Sequence, residues 1–392
     1  MPAPLFRYVA LGLLPLIAGP APPANAEPDP ALVATTLAEA IDALGDIEVA
    51  YDDATAIGED VVITGLVVTL PNEAVFTIPA VTVFSATPRD DGGFIAARMT
   101  VDQGTLTSSD RTLTWAMASF ADVIVPGADE VKDLPKIRPF RQMSMTEINL
   151  TGETLPAPVY AATADFELDD VSGGTPTSLS ARVTGVRFPA ALIGNSIVSA
   201  LVGMLNYTEF TADVALDGRY DPAANTAVLE MLGIDIATVG KIDIAASATD
   251  FSISGVLDPD PEVAQAARSA ARLESLRVRI DNAGFVERML TMQADMLGGT
   301  PEDVRKQIVD GALPFALSFV KNEAFRGTFR AEVAEFLADP KSLTIVMSPA
   351  EPLPLGQVAR AILRAPQTLP DLLAPTVAAN EPPMPPPEEP QP

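Results

Sequence analysis

The spacing of apolar residues changes along the chain, and the changes divide it. Val33, Leu37, Ile41 and Leu44 recur every three to four positions, which predicts an amphipathic helix ended by Gly45. From about 47 to 258 the dominant period becomes two. Tyr160, Ala162, Ala164, Phe166 and Leu168 alternate with Ala161, Thr163, Asp165, Glu167 and Asp169, so one face of that strand is apolar and the other largely acidic. Phe210, Ala212, Val214 and Leu216 are set in the same way against Thr211, Asp213 and Asp217. Further runs over 61–70, 75–84, 95–101, 113–117, 179–188, 227–236 and 242–253 read as strands. Strands with one solvated face imply antiparallel pairing, because parallel sheets are covered on both faces and read as continuous apolar runs. Turn chemistry separates them at Asp90-Asp91-Gly92-Gly93, at Ser172-Gly173-Gly174 and over 221–225. Only 189–205 interrupts the meander, as a helix with Leu192, Ile193, Ile197, Leu201 and Leu205 along one side.

After the break at Asp258-Pro259-Asp260-Pro261 the helical period returns. Leu276, Val278 and Ile280 mark one short strand, followed by a helix over 282–297 closed by Gly298-Gly299. Thr300 caps the next helix, with Pro301 in the first turn and Glu302 and Asp303 favoured by the helix dipole; Pro314 kinks or splits it. A helix over 322–337, a strand carrying Leu343, Ile345 and Met347, and a helix over 355–363 complete the pattern. Seven prolines among the 13 residues from Asn380 predict a solvated polyproline tail. The fold class is therefore α+β: a long antiparallel β meander with amphipathic helices packed on one face and a mainly helical C-terminal region. The expected divisions are 27–258 for the first helix and sheet, 259–375 for the helical region packing on the sheet, and 376–392 for a Pro-rich disordered tail. A phrase of aliphatic residue, Ser or Thr, then Gly recurs at Gly65, Gly152, Gly185 and Gly255 with no fixed interval, and reads as a repeated strand-end turn.

The Tyr220-Asp221-Pro222 turn and the FLADPKSLTIVMSP phrase from Phe336 resemble uncharacterised envelope proteins of proteobacteria. The resemblance spans 183–349 and implies no reaction or ligand.

Composition narrows the chemistry. The 392 residues carry 25 Lys and Arg against 52 Asp and Glu, for a formal charge of −27, and contain neither His nor Cys. Metal centres built from thiolate or imidazole have no ligands here, and Cys-His and Ser-His-Asp catalysis are excluded. The negative charge repels phosphate backbones, so no nucleic-acid partner is expected. A hydrophobic fraction of 48% with 20% charged residues belongs to a core-forming chain. The first 26 residues read as a secretory signal peptide: Arg7, an apolar stretch over 9–18, then Ala24-Asn25-Ala26 as a cleavage site before Glu27. The expected mature protein is periplasmic or secreted, with no transmembrane span after signal cleavage. Its length favours two domains.

Ser318-Phe319-Val320-Lys321 has the S-x-x-K spacing of a serine activated by lysine, but Ser109-Asp110-Arg111 and Lys341-Ser342-Leu343 do not supply the companion motifs of penicillin-recognising enzymes. Asp165, Glu167, Asp169 and Asp170 form the densest acidic cluster. Alternate residues on a strand stand roughly 6.6 to 7 Å apart and cannot chelate one calcium ion unaided, so the cluster reads as a solvated sheet face, and no cofactor is expected. A stripe of Phe285, Met289, Met292 and Met296, then Phe315, Phe319, Phe325, Phe329 and Phe336, is either helix-packing core or the lining of an apolar groove. The leading expectation is an exported, non-enzymatic binding or structural protein of the bacterial envelope, with an apolar small molecule or an envelope protein as partner. A hydrolase using carboxylates or the Ser-Lys pair is the rival.

Overall fold

Residues 29–45, 47–127, 140–172, 175–193, 196–256, 258 and 260–382 are described by the computed structural model, and the expected export signal lies outside them. The fold is α+β and β-rich, as the alternating pattern requires. The chain forms two compact units, one holding the described residues up to 203 together with 207–222, the other 204–206 together with those from 223 onward. The division falls in the turn after Asp221 rather than at the Asp258 break, because the two strands that follow the turn pair with later ones.

In the first unit, α1 (Pro30–Asp42) is capped by Asp29, whose side chain accepts the Ala31 and Leu32 amides, with Pro30 at the first helical position. Strands β1 (Glu48–Ala50) and β2 (Asp53–Ile57) both pair with β3 (Asp60–Thr69), which pairs with β4 (Val75–Phe84). The meander continues through β5 (Thr87–Pro88), β6 (Phe94–Asp102), β7 (Thr105–Thr107), β8 (Arg111–Thr114), β9 (Met117–Val125), β10 (Gln142–Gly152), β11 (Val159–Ser172), β12 (Thr175–Pro189) and β13 (Glu209–Asp221), all antiparallel. Strands β6 and β7 are two halves of one bent strand against β4, and β8 and β9 two halves of another against β10. The bends coincide where Trp115 lies over Gly104: a Cβ on that glycine would stand 1.9 Å from the indole ring. Val33 and Leu37 of α1 pack with Val61, Ile63, Val81, Val83 and Trp115 in the core of this unit.

The repeated Gly phrase has no common role. Gly185 sits inside β12 at a bulge with φ +60°, its amide donating 2.7 Å to Asp213; Gly152 ends β10, Gly65 lies within β3, and Gly255 belongs to a short helix. A three-residue phrase does not separate these settings: Gly65 and Gly185 take the left-handed backbone, whereas Gly152 and Gly255 do not. Within 189–205 the described helical residues are a 3-10 turn (Ala190–Leu192) and α2 (Ser196–Met204).

In the second unit, β14 (Thr226–Ile236) and β15 (Gly240–Thr249) form a hairpin, so the expected strand over 242–253 ends early and Ile253–Val256 is a helical turn, α3. Helix α4 (Pro261–Ala270) leads to β16 (Arg272–Asn282), which pairs with β15, and then to α5 (Phe285–Leu297). The capping box Thr300 and Asp303 opens α6 (Pro301–Gln307). A π turn over Ile308–Ala312 then joins α7 (Leu313–Leu317), with the Leu313 amide donating to Ile308, five residues back. The wider turn accommodates Pro314, which lacks the donor an α-helix would use. Helix α8 (Glu323–Ala338) precedes β17 (Ser342–Met347) and β18 (Leu353–Pro354), both paired with β16; α9 (Leu355–Arg364), α10 (Leu369–Leu373) and β19 (Pro375–Ala379) follow.

Strand β19 corrects the expected tail, since residues 375–379 pair with β17 instead of being solvated. Only Val377 is buried, and a five-residue strand bounded by Pro375 is too short for its period to show. Asn380, at φ +57°, then turns the chain onto the polar sheet face. There Arg279 donates to the carbonyls of Glu381 (3.0 Å) and Pro382 (3.2 Å), and Ser342 to Glu381 (3.2 Å). Residues 383–392 of the expected tail lie outside the described residues.

Candidate functional site

Residues directly opposite in an antiparallel pair share a face. In the second unit this builds two aliphatic rows across five strands, from β14 through β15, β16 and β17 to β19: Ile234, Ile242, Ile280, Leu343 and Ala379 in one, Leu232, Ile244, Val278, Ile345 and Val377 in the other. Helices cover one end of the rows. Leu343 and Ala379 pack against Phe336, Leu337, Val286 and Leu290, and Val377 is buried. A second cluster joins Leu276 and Met347 to Val358 of α9 and Leu373 of α10 on the same face. At the β14–β16 end the rows stay open: Ile234 is 37% exposed, Ile242 41% and Ile280 39%. Three aligned isoleucines at this exposure form a contiguous apolar surface across neighbouring strands.

The Phe and Met stripe falls into three settings. Phe336 is core. In α5 the buried line is Val286, Leu290 and Ala294, so Phe285, Met289, Met292 and Met296 run along the neighbouring face, and Met296 is 69% exposed. Met292 and Met296 border a 680 Å³ depression with Met204, Leu205 and the polar Glu287 and Asp295. Phe325 and Phe329 are half-buried and tilted together at 5.4 Å, while Phe315 and Phe319 meet edge to face at 5.9 Å in the open. The period of a stripe shows that its members share a helix face, but not which of two adjacent faces meets the sheet. The isoleucine rows carried no such signal, because their alignment depends on three strands drawn from separate stretches of chain.

At the Ser-Lys pair, the Ser318 hydroxyl donates 2.7 Å to the Phe315 carbonyl, and Lys321 is exposed. In the acidic cluster Asp165 accepts from Ser144 at 2.6 Å, Glu167 from Gln142, and Asp169 lies 3.8 Å from Arg141. These groups belong to the polar sheet face of the first unit, whose 360 Å³ concavity is also lined by Arg182, itself paired with Asp217. The side chain of Asp170 lies outside the described set. Among the described residues no group of three acids is arranged to hold a metal ion, and no helix is long and apolar enough to cross a membrane.

Among the described residues ionisation is perturbed at two places. The Thr300 hydroxyl, followed by its amide, holds the Asp303 carboxylate below its ordinary range; Asp281 pushes the Arg279 guanidinium up. One is a helix cap and the other a tail clamp, and neither faces the isoleucine rows.

Residues 233–380, which hold every member of the two rows except Leu232, match a family model described as an uncharacterized protein. No curated protein matches the chain.

Proposed function

We propose that this chain is an exported, non-enzymatic binding protein of the proteobacterial envelope that holds an apolar ligand against the open end of its second sheet. The observation that carries the reading is the row of Ile234, Ile242 and Ile280, aligned and about two-fifths exposed where the same row further on is covered by helices. Leaving each such side chain part-exposed forgoes roughly 1 kcal/mol of transfer free energy, which an acyl chain or similar aliphatic surface laid across the strands would recover. Export rests on the pattern of the first 26 residues, and the envelope on the resemblance carried by the Tyr220 turn and the Phe336 phrase.

Native mass spectrometry of the protein taken from the periplasm tests the reading, together with uptake of a fluorescent fatty acid. A copurified lipid of defined mass, with uptake weakened in Ile242→Ser and Ile280→Ser, is the expected result. A clean apo mass with no uptake would overturn it.

A further inference from the structure

Two further apolar pairs are exposed on the helices of the second unit. Leu317 of α7 points inward and is buried, so Phe315 and Phe319, which flank it, point outward at 72% and 66% exposure. Helix α9 likewise buries Val358 and Ala361 and turns out Ile362 (54%) and Leu363 (82%). The Asn322 side chain donates 3.1 Å to Asp371, tying the end of the Phe315–Phe319 turn to α10, the helix that follows α9.

The charge around these side chains runs against that of the whole chain. Between 313 and 330 three cations accompany one acid, and between 351 and 371 Arg360 and Arg364 balance Glu351 and Asp371. Glu323 is paired with Arg326, and the nearby Asp310 with Arg330. Lys321, Arg360 and Arg364 are exposed and meet no carboxylate among the described residues. Two outward apolar pairs beside three exposed cations that meet no carboxylate among the described residues, on a chain of net charge −27, are complementary to a surface that is both apolar below and anionic above.

We propose that this surface docks the protein on an anionic lipid bilayer. Phe315, Phe319, Ile362 and Leu363 enter the headgroup region, and Lys321, Arg360 and Arg364 meet the lipid phosphates. The charge of the remaining surface, repelled by the same bilayer, fixes the orientation: the helical layer faces the membrane. The docking is independent of the ligand row on the sheet, and either assignment stands if the other fails.

Flotation of the full chain with vesicles tests it. Vesicles of phosphatidylcholine with a third phosphatidylglycerol are expected to carry the protein, pure phosphatidylcholine vesicles much less, and raised salt should release it. Each cation at such a surface is worth about fivefold in affinity, so the triple variant K321Q/R360Q/R364Q should bind on the order of a hundredfold more weakly. F315S/F319S should lose binding with an unchanged melting curve, whereas I57S, an exposed site in the first unit, should leave binding intact. No flotation with anionic vesicles, or equal flotation of the triple variant and the unsubstituted protein, would overturn the proposal; so would binding to a protein partner that requires these residues while vesicles are ignored.

Discussion

Replacing Arg279 with Met tests how the end of the chain is held. The Arg279 side chain is 8% exposed, and its guanidinium has three kinds of partner: both Asp281 oxygens at 2.7 to 3.0 Å, the Glu381 carbonyl at 3.0 Å and the Pro382 carbonyl at 3.2 Å. Pro382 has no amide proton, so its carbonyl is its only backbone handle for pairing. Each charge-assisted bond to a carbonyl is worth about 1.5 to 3 kcal/mol, while the Asp281 pair, with its acid 34% exposed, adds about 1 kcal/mol. Freed carbonyls can lift into water and recover part of this, leaving a net loss of about 2 to 4 kcal/mol. In a chain ending at Asn380 the same substitution loses only the Asp281 pair, about 1 kcal/mol. A double-mutant cycle should therefore show coupling of about 1 to 3 kcal/mol between Arg279 and residues 381–392. Urea unfolding followed by circular dichroism, with amide exchange in β16 and β17, measures it; fluorescence does not, because the single Trp115 reports on the first unit. Additivity within about 0.5 kcal/mol would refute the clamp.

Three further outcomes follow from the same structure. Gly104→Ala sets a methyl 1.9 Å from the Trp115 ring and should cost about 1 to 3 kcal/mol, with a shift in indole fluorescence, whereas Gly311→Ala, with open space around it, should not move the indole. Gly185→Ala combines φ +60° with a 2.9 Å approach to Ala162 and should destabilise the first unit by about 1 to 3 kcal/mol on chemical denaturation. The depressed Asp303 carboxylate favours the folded state above its ordinary value of 3.8, and that contribution is lost as pH falls through its lower folded value; in Thr300→Ala its NMR titration midpoint should rise toward 3.8.

Much of the fold was legible along the chain because the local signals are strong. The period of two over 75–84, the Thr300 capping box and the α8 phrase each lie within one stretch of sequence, and propensity and burial agree there. Strand β19 was missed because its short apolar pattern sits beside the proline run, and its pairing is set by β17. The α5 stripe was legible as a stripe, but the face that meets α8 depends on Val304, Phe336 and Leu337 arriving from elsewhere.

The sequence by itself determined the α+β class, the antiparallel pairing, the acidic outward faces and the exclusion of thiol and imidazole chemistry, since each follows from residue type and spacing. Tertiary structure alone decided which aliphatic residues align across strands, which end of that row the helices leave open, and which phenylalanines point to solvent. Register and packing join residues a hundred positions apart, and no local period records that.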